Sequence, residues 1–131
     1  MKIDHFAFLV KDINRAIEFY QDILGLKLMF HDRNEEYGEE FAFLELEGGN
    51  LELLQKIPPS TANINSDPEE RANCPHLALV SNDLDALVEK LKERNIPLVK
   101  GPLNIPGKVK WLYFADLDGN IIEFVEWLDP L

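Results

Sequence analysis

The feature that most constrains this chain is an internal repeat: shifted by 71 residues, the sequence falls on itself. His5 falls on His76, Ala7 on Ala78, Asp12 on Asp83 and Glu18 on Glu89. Further along, Phe43 falls on Phe114, Leu46 on Leu117, Gly48 on Gly119 and Glu52 on Glu123, with no gap at any of these positions. Repetition at a fixed period is read before local pattern, because it dictates one supersecondary unit used twice. Each His is thereby followed by a Glu at the same separation of 47 residues.

The local signals repeat with the same period. Ile3–Val10 and Pro75–Val80 read as strands, and each runs into an aspartate suited to cap a helix, Asp12 or Asp83. Ile13, Ala16, Ile17 and Tyr20 then form one apolar stripe, and Leu84, Leu87, Val88 and Leu91 form its counterpart. Gly25 ends the first helix; Asn95 and Pro97 end the second. Three extended segments follow in each half: Lys27–Phe30, Glu40–Glu45 and Asn50–Lys56, then Leu98–Lys100, Val109–Ala115 and Asn120–Trp127. Gly48-Gly49-Asn50 and Asp118-Gly119-Asn120 carry hairpin-turn chemistry. Each half is therefore β-α-β-β-β, an α+β plan with modules at 1–57 and 74–131. The polar stretch 58–73 between them, with its acidic run Asp67–Glu70, reads as a solvated connector.

Composition removes several function classes. The formal net charge is −11, from 24 acidic and 13 basic side chains, which repels nucleic-acid phosphate and anionic lipid. A single cysteine, Cys74, excludes an internal disulfide and any multi-thiolate zinc site, and reads as a small, partly buried thiol. No segment approaches the ~18 consecutive apolar residues of a membrane span, and the first residues lack the apolar stretch of a signal peptide. A reducing, cytoplasmic setting is the expectation.

Strand alternation sorts the side chains by face. His5, Ala7 and Leu9 share one face of the first strand, leaving Phe6, Phe8 and Val10 to pack on the helix; His76, Ala78 and Val80 repeat the pattern opposite Leu77 and Leu79. Glu52 sits among Leu51, Leu53 and Leu54, and Glu123 among Ile121, Ile122, Phe124 and Val125. A carboxylate in an apolar strand is costly to bury without a cation or a hydrogen-bond donor. Taken singly, each His and Glu reads as an ordinary solvated residue. Taken as two equally spaced pairs, His5, Glu52, His76 and Glu123 are expected to hold one divalent ion, a nitrogen and oxygen set suited to Ni²⁺, Zn²⁺, Co²⁺, Fe²⁺ or Mn²⁺. Among other residues, His31 reads as solvated and Asp116–Asn120 as a hairpin turn rather than a calcium loop. Lys100, Lys108 and Lys110 read equally as a basic rim or a solvated loop. Phe8, Phe43, Leu54, Trp111 and Phe114 are candidates for core or cavity walls.

Tandem β-α-β-β-β modules with His on the first strand and Glu on the last resemble the vicinal oxygen chelate superfamily of glyoxalases, epimerases, extradiol dioxygenases and drug-resistance proteins. The resemblance rests on His5–Asp12, Glu18-Phe19-Tyr20 with Leu24-Gly25, His76–Leu79 and Asp116–Glu123, and covers nearly the whole chain. It implies a curved, half-barrel-like mixed sheet around a metal cavity. It also implies a homodimer acting on a small molecule, with Ni²⁺ or Zn²⁺ foremost. The His/Glu/His/Glu set is similar to that of the lactoylglutathione lyase branch. That branch isomerises the hemithioacetal of an α-oxoaldehyde by proton transfer through a metal-stabilised enediolate. The resemblance assigns the proton-moving role to Glu123, with Glu52 its counterpart, and a substrate contact to Lys100; Lys56 and Trp111 are further expected substrate contacts. Leu9 and Lys56 stand where glutathione-using members usually carry Arg and Asn, which leaves the thiol open. Another metal-dependent member (an epimerase or a dioxygenase) and a non-enzymatic binding protein are the alternatives.

Overall fold

In the computed structural model, residues 1–58 and 75–129 are described. The expected connector beyond Pro58, its acidic run and Cys74 lie outside them. The chain divides into two compact units, Met1–Asn63 and Ile64–Leu131.

The first unit runs β1 (His5–Leu9), α1 (Ile13–Leu24), β2 (Lys27–Asn34), β3 (Glu39–Glu45) and β4 (Asn50–Lys56). Its four-stranded mixed sheet has the order β1-β4-β3-β2, with β1 parallel to β4 and the other pairs antiparallel. The parallel pair exists because α1 carries the chain from one edge across to the other, which a tight turn cannot do. Asp12 starts the helix by accepting from the Arg15 N–H at 3.2 Å, and Gly25 ends it in the left-handed conformation at φ 66°. The stripe of Ile13, Ala16, Ile17, Tyr20 and Ile23 is buried. Ala42, Leu44, Leu51 and Leu53 of the sheet are fully buried with it, and Phe8 nearly so. The opposite face of the sheet, bearing His5, Ala7, Phe43 and Glu52, stays partly open.

The second unit repeats the plan: β5 (Leu77–Val80), α2 (Leu84–Glu93), β6 (Leu98–Ile105), β7 (Val109–Ala115) and β8 (Ile121–Trp127), in sheet order β5-β8-β7-β6. Asp83 caps α2 through the Ala86 N–H at 3.0 Å, and Asn95 follows its last turn at φ 58°. Leu84, Leu91, Leu112, Phe114 and Ile122 form the core. The fold is therefore α+β with two open four-stranded mixed sheets. Among the described residues no helix is long and apolar enough to cross a membrane.

Two strands run longer than their sequence patterns. β2 extends to Asn34 rather than Phe30 and β6 to Ile105 rather than Lys100. In β2 the added residues are polar, but they pair across to β3 through cross-strand charge: Glu40 lies opposite Arg33 and accepts from His31 Nε2 at 2.6 Å. In β6 Gly101 and Pro102 sit inside the strand at an irregularity between Lys100 and Leu103, beyond which pairing resumes. Lys100 and Lys110 lie on β6 and β7, and Lys110 faces Glu126 at 3.9 Å.

The gapless repeat also slips locally. β3 maps onto β7 with a shift of 70, not 71: Glu52 lies opposite Phe43, whereas Glu123 lies opposite Tyr113. The cause is the last hairpin, whose turn spans 116–120 where its counterpart spans 46–49. The extra residue is held by Asp116, whose Oδ1 accepts from the N–H groups of Asp118 and Asn120 at 2.8 Å each. Phe114 thus goes to the core, and Tyr113 takes the position that Phe43 holds in the first unit.

Candidate metal centre

In each unit the parallel pair of strands does the positioning. Ala7 is opposite Glu52 on β1 and β4, and Ala78 is opposite Glu123 on β5 and β8. His5 and His76 lie two residues before these alanines, so each His shares a face with its Glu. A small residue between them on the edge strand leaves the carboxylate uncovered from that side.

In the second unit the pair meets. His76 Nε2 and Glu123 Oε2 are 2.6 Å apart, with side chains 20% and 16% exposed. The Tyr113 ring packs edge-on against the imidazole, centroids 5.4 Å apart. Burial and the Glu123 carboxylate hold the Tyr113 phenol above the usual tyrosine value of 10.0, opposed by a hydrogen bond from the Trp111 side chain. Lys100, paired with Tyr113 from β6, completes a row Ala78, Glu123, Tyr113, Lys100 across the sheet.

In the first unit the corresponding row is Ala7, Glu52, Phe43, Phe30. The His5 ring lies 5.2 Å from Phe43, and Phe43 stacks on Phe30 at 4.9 Å. His5 Nδ1 is 2.6 Å from Asp4 Oδ1. Glu52 is half-buried and, among the described residues, has no hydrogen-bond or ion-pair partner. A cleft of about 460 Å³ opens beside this end of β1, lined by Asp4, Asn50 and the glycines of the β3–β4 turn.

The expected four-residue set is thus seen as two His/Glu pairs, one per unit. Among the described residues no group of three or more His, Cys, Asp or Glu side chains gathers as a metal cluster. Neither carboxylate is buried as deeply as its apolar neighbours suggest, because both sit on the face turned away from the helix. Lys56 lies on the Glu52 face at the far end of β4, 3.3 Å from Glu39. Trp111 is on the Glu123 face, while Lys110 is on the other, so the lysines do not form one rim. Of the expected walls, Phe8 and Phe114 are core, and Phe43, Leu54 and Trp111 are half-buried on the open faces. His31 is exposed but bound to Glu40, so it is not an idle surface residue. Sequence reading missed Tyr113 as a site residue, since the gapless shift put Phe114 in its place; the longer turn before Asn120 was the available signal. By donor chemistry each pair, one imidazole and one carboxylate, suits a divalent first-row ion; the second unit's pair already converges, and Glu52 has no partner among the described residues.

These features belong to a known class. The pattern of the Glyoxalase/Bleomycin resistance protein/Dioxygenase superfamily matches residues 2–124. The chain belongs to that superfamily. It is 33% identical over 129 residues to the lactoylglutathione lyase of Haemophilus influenzae, covering 96% of this chain and 93% of the relative. It is 31% identical over 125 residues to the metallothiol transferase FosB of Staphylococcus epidermidis, covering 92% and 80%. Among solved structures, a glyoxalase family protein from Bacillus cereus superposes with a TM-score of 0.80 at 20% identity, over 98% of this chain and 95% of the other.

Proposed function

We propose that the chain is a metal-dependent lyase of the glyoxalase type, isomerising the hemithioacetal of a small α-oxoaldehyde. The observation that carries the reading is the equivalent placing of a His and a Glu on the open face of both units, each beside an aromatic ring. His5, Glu52, His76 and Glu123 would hold one Ni²⁺ or Zn²⁺ ion, completed within one chain or across a homodimer in the cytoplasm. When bound, the ion supplies Lewis-acid stabilisation of negative charge on the substrate oxygens. Glu123 takes the proton from the carbon bearing the hydroxyl and returns it to the neighbouring carbon, with Glu52 as the counterpart acid or base. Its half-buried position beside Tyr113 limits water access to the transferred proton. Lys100 offers an ammonium without an ion-pair partner among the described residues, suited to a carboxylate on the thiol. Phe43, Phe30 and Trp111 give apolar surface for the remaining carbon chain.

The test is a thioester assay on Ni²⁺- and Zn²⁺-loaded protein with methylglyoxal and a panel of thiols. Thioester formed by the wild type and lost in Glu123→Gln is expected. No thioester with any thiol would overturn the reading. The relative named metallothiol transferase favours a second reading, transfer of a thiol to a small electrophile. Consumption of thiol by an epoxide, without methylglyoxal, would mark that outcome.

A further inference from the structure

We infer that Asp4 is a positioning residue, which fixes the His5 ring so that Nε2 carries the lone pair offered to the metal. The inference rests on the metal reading above and adds to it an outer partner for one ligand.

Asp4 is itself held in place. Its carbonyl accepts from the Asn50 N–H at 2.9 Å, tying the residue to the first position of β4. Its Oδ1 then lies 2.6 Å from His5 Nδ1. A neutral imidazole has one N–H, and a carboxylate can only accept, so the contact puts the proton on Nδ1 and leaves Nε2 bare. The Phe43 ring at 5.2 Å restricts the imidazole from the sheet side. Carboxylate-to-histidine contacts of this kind orient metal ligands and raise their basicity.

Magnitude separates this role from a stabilising one. The Asp4 side chain is 86% exposed and that of His5 38%, so the contact adds little to folding. Its effect falls on ring orientation. The repeat is also broken here: Pro75 stands where Asp4 would recur, and a proline side chain accepts nothing. In the second unit it is His76 Nε2 itself that meets Glu123. In the first unit, by contrast, Glu52 has no partner among the described residues to hold the ring from the front.

The experiment uses the full chain in Asp4→Asn, Asp4→Glu and His5→Ala forms, with two readouts. The first is nitrogen NMR of the imidazoles in metal-free protein at one pH above the imidazole range. The second is Ni²⁺ affinity by competition with a chelator. Wild type should show His5 with its proton on Nδ1. Asp4→Asn should give a mixed tautomer signal, lose about 10–100-fold in affinity and melt at an unchanged temperature. Asp4→Glu should recover part of the affinity. Unchanged tautomer and affinity in Asp4→Asn, with affinity lost in His5→Ala, would overturn the inference and leave the metal reading standing. Unchanged affinity in His5→Ala would overturn both, since Asp4 would then have no ligand to orient.

Discussion

Tyr113 shows how one side chain ties the site to the stability of its unit. Its phenol titrates above 10.0 because burial and the Glu123 carboxylate both disfavour the phenolate. The unfolded chain therefore loses this proton before the folded one does. Stability associated with it is full below pH 10.0 and falls as pH rises through the folded value. Denaturant unfolding as a function of pH should show a decline above that point which is shallower in Tyr113→Phe; equal slopes would contradict the assignment. The residues that matter at this scale were unevenly legible. His5, His76, Glu52 and Glu123 stand out because polar groups interrupt apolar strands at a repeated spacing. Tyr113 does not, since an aromatic in a strand reads as core until the register is known. Asp4 does not either, because nothing in sequence says that a surface carboxylate turns toward its neighbour.

At the scale of elements, capping and periodicity carried most of the information. Asp12, Gly25 and Asp83 act where their chemistry predicts, and the strands of the parallel pairs keep the expected faces. What the sequence hid was strand length, because β2 and β6 continue through charged residues and through Gly101-Pro102, which ordinarily mark loops. Gly101 is needed there. Its φ is +100°, and an added Cβ would meet Trp111 O at 3.0 Å, with Leu103 N and Leu112 Cα at 3.1 Å, all backbone atoms. Gly101→Ala should cost roughly 1–3 kcal/mol in a denaturant melt, and should disturb Lys100 next to it. A loss within a few tenths of a kcal/mol would show that β6 accommodates a side chain without strain.

For the whole molecule, the duplication was visible at once, and it dictated two sheets of one topology. The one-residue difference in the last hairpin was not, because a gapless match at the turn glycines conceals it. The two halves are consequently alike on the strands that carry His and Glu and unlike beside them: Phe43 and Phe30 in one, Tyr113 and Lys100 in the other. That difference gives a duplicated scaffold one apolar and one polar row. The central claim is that both units serve a single ion, and calorimetric titration of Ni²⁺ into metal-free wild type, His5→Ala and Glu123→Gln tests it most directly. The account predicts one ion per chain, with either substitution weakening binding by more than the ~10–100-fold typical of losing an outer hydrogen-bond partner. Two independent ions per chain, or wild-type affinity in either variant, would contradict it.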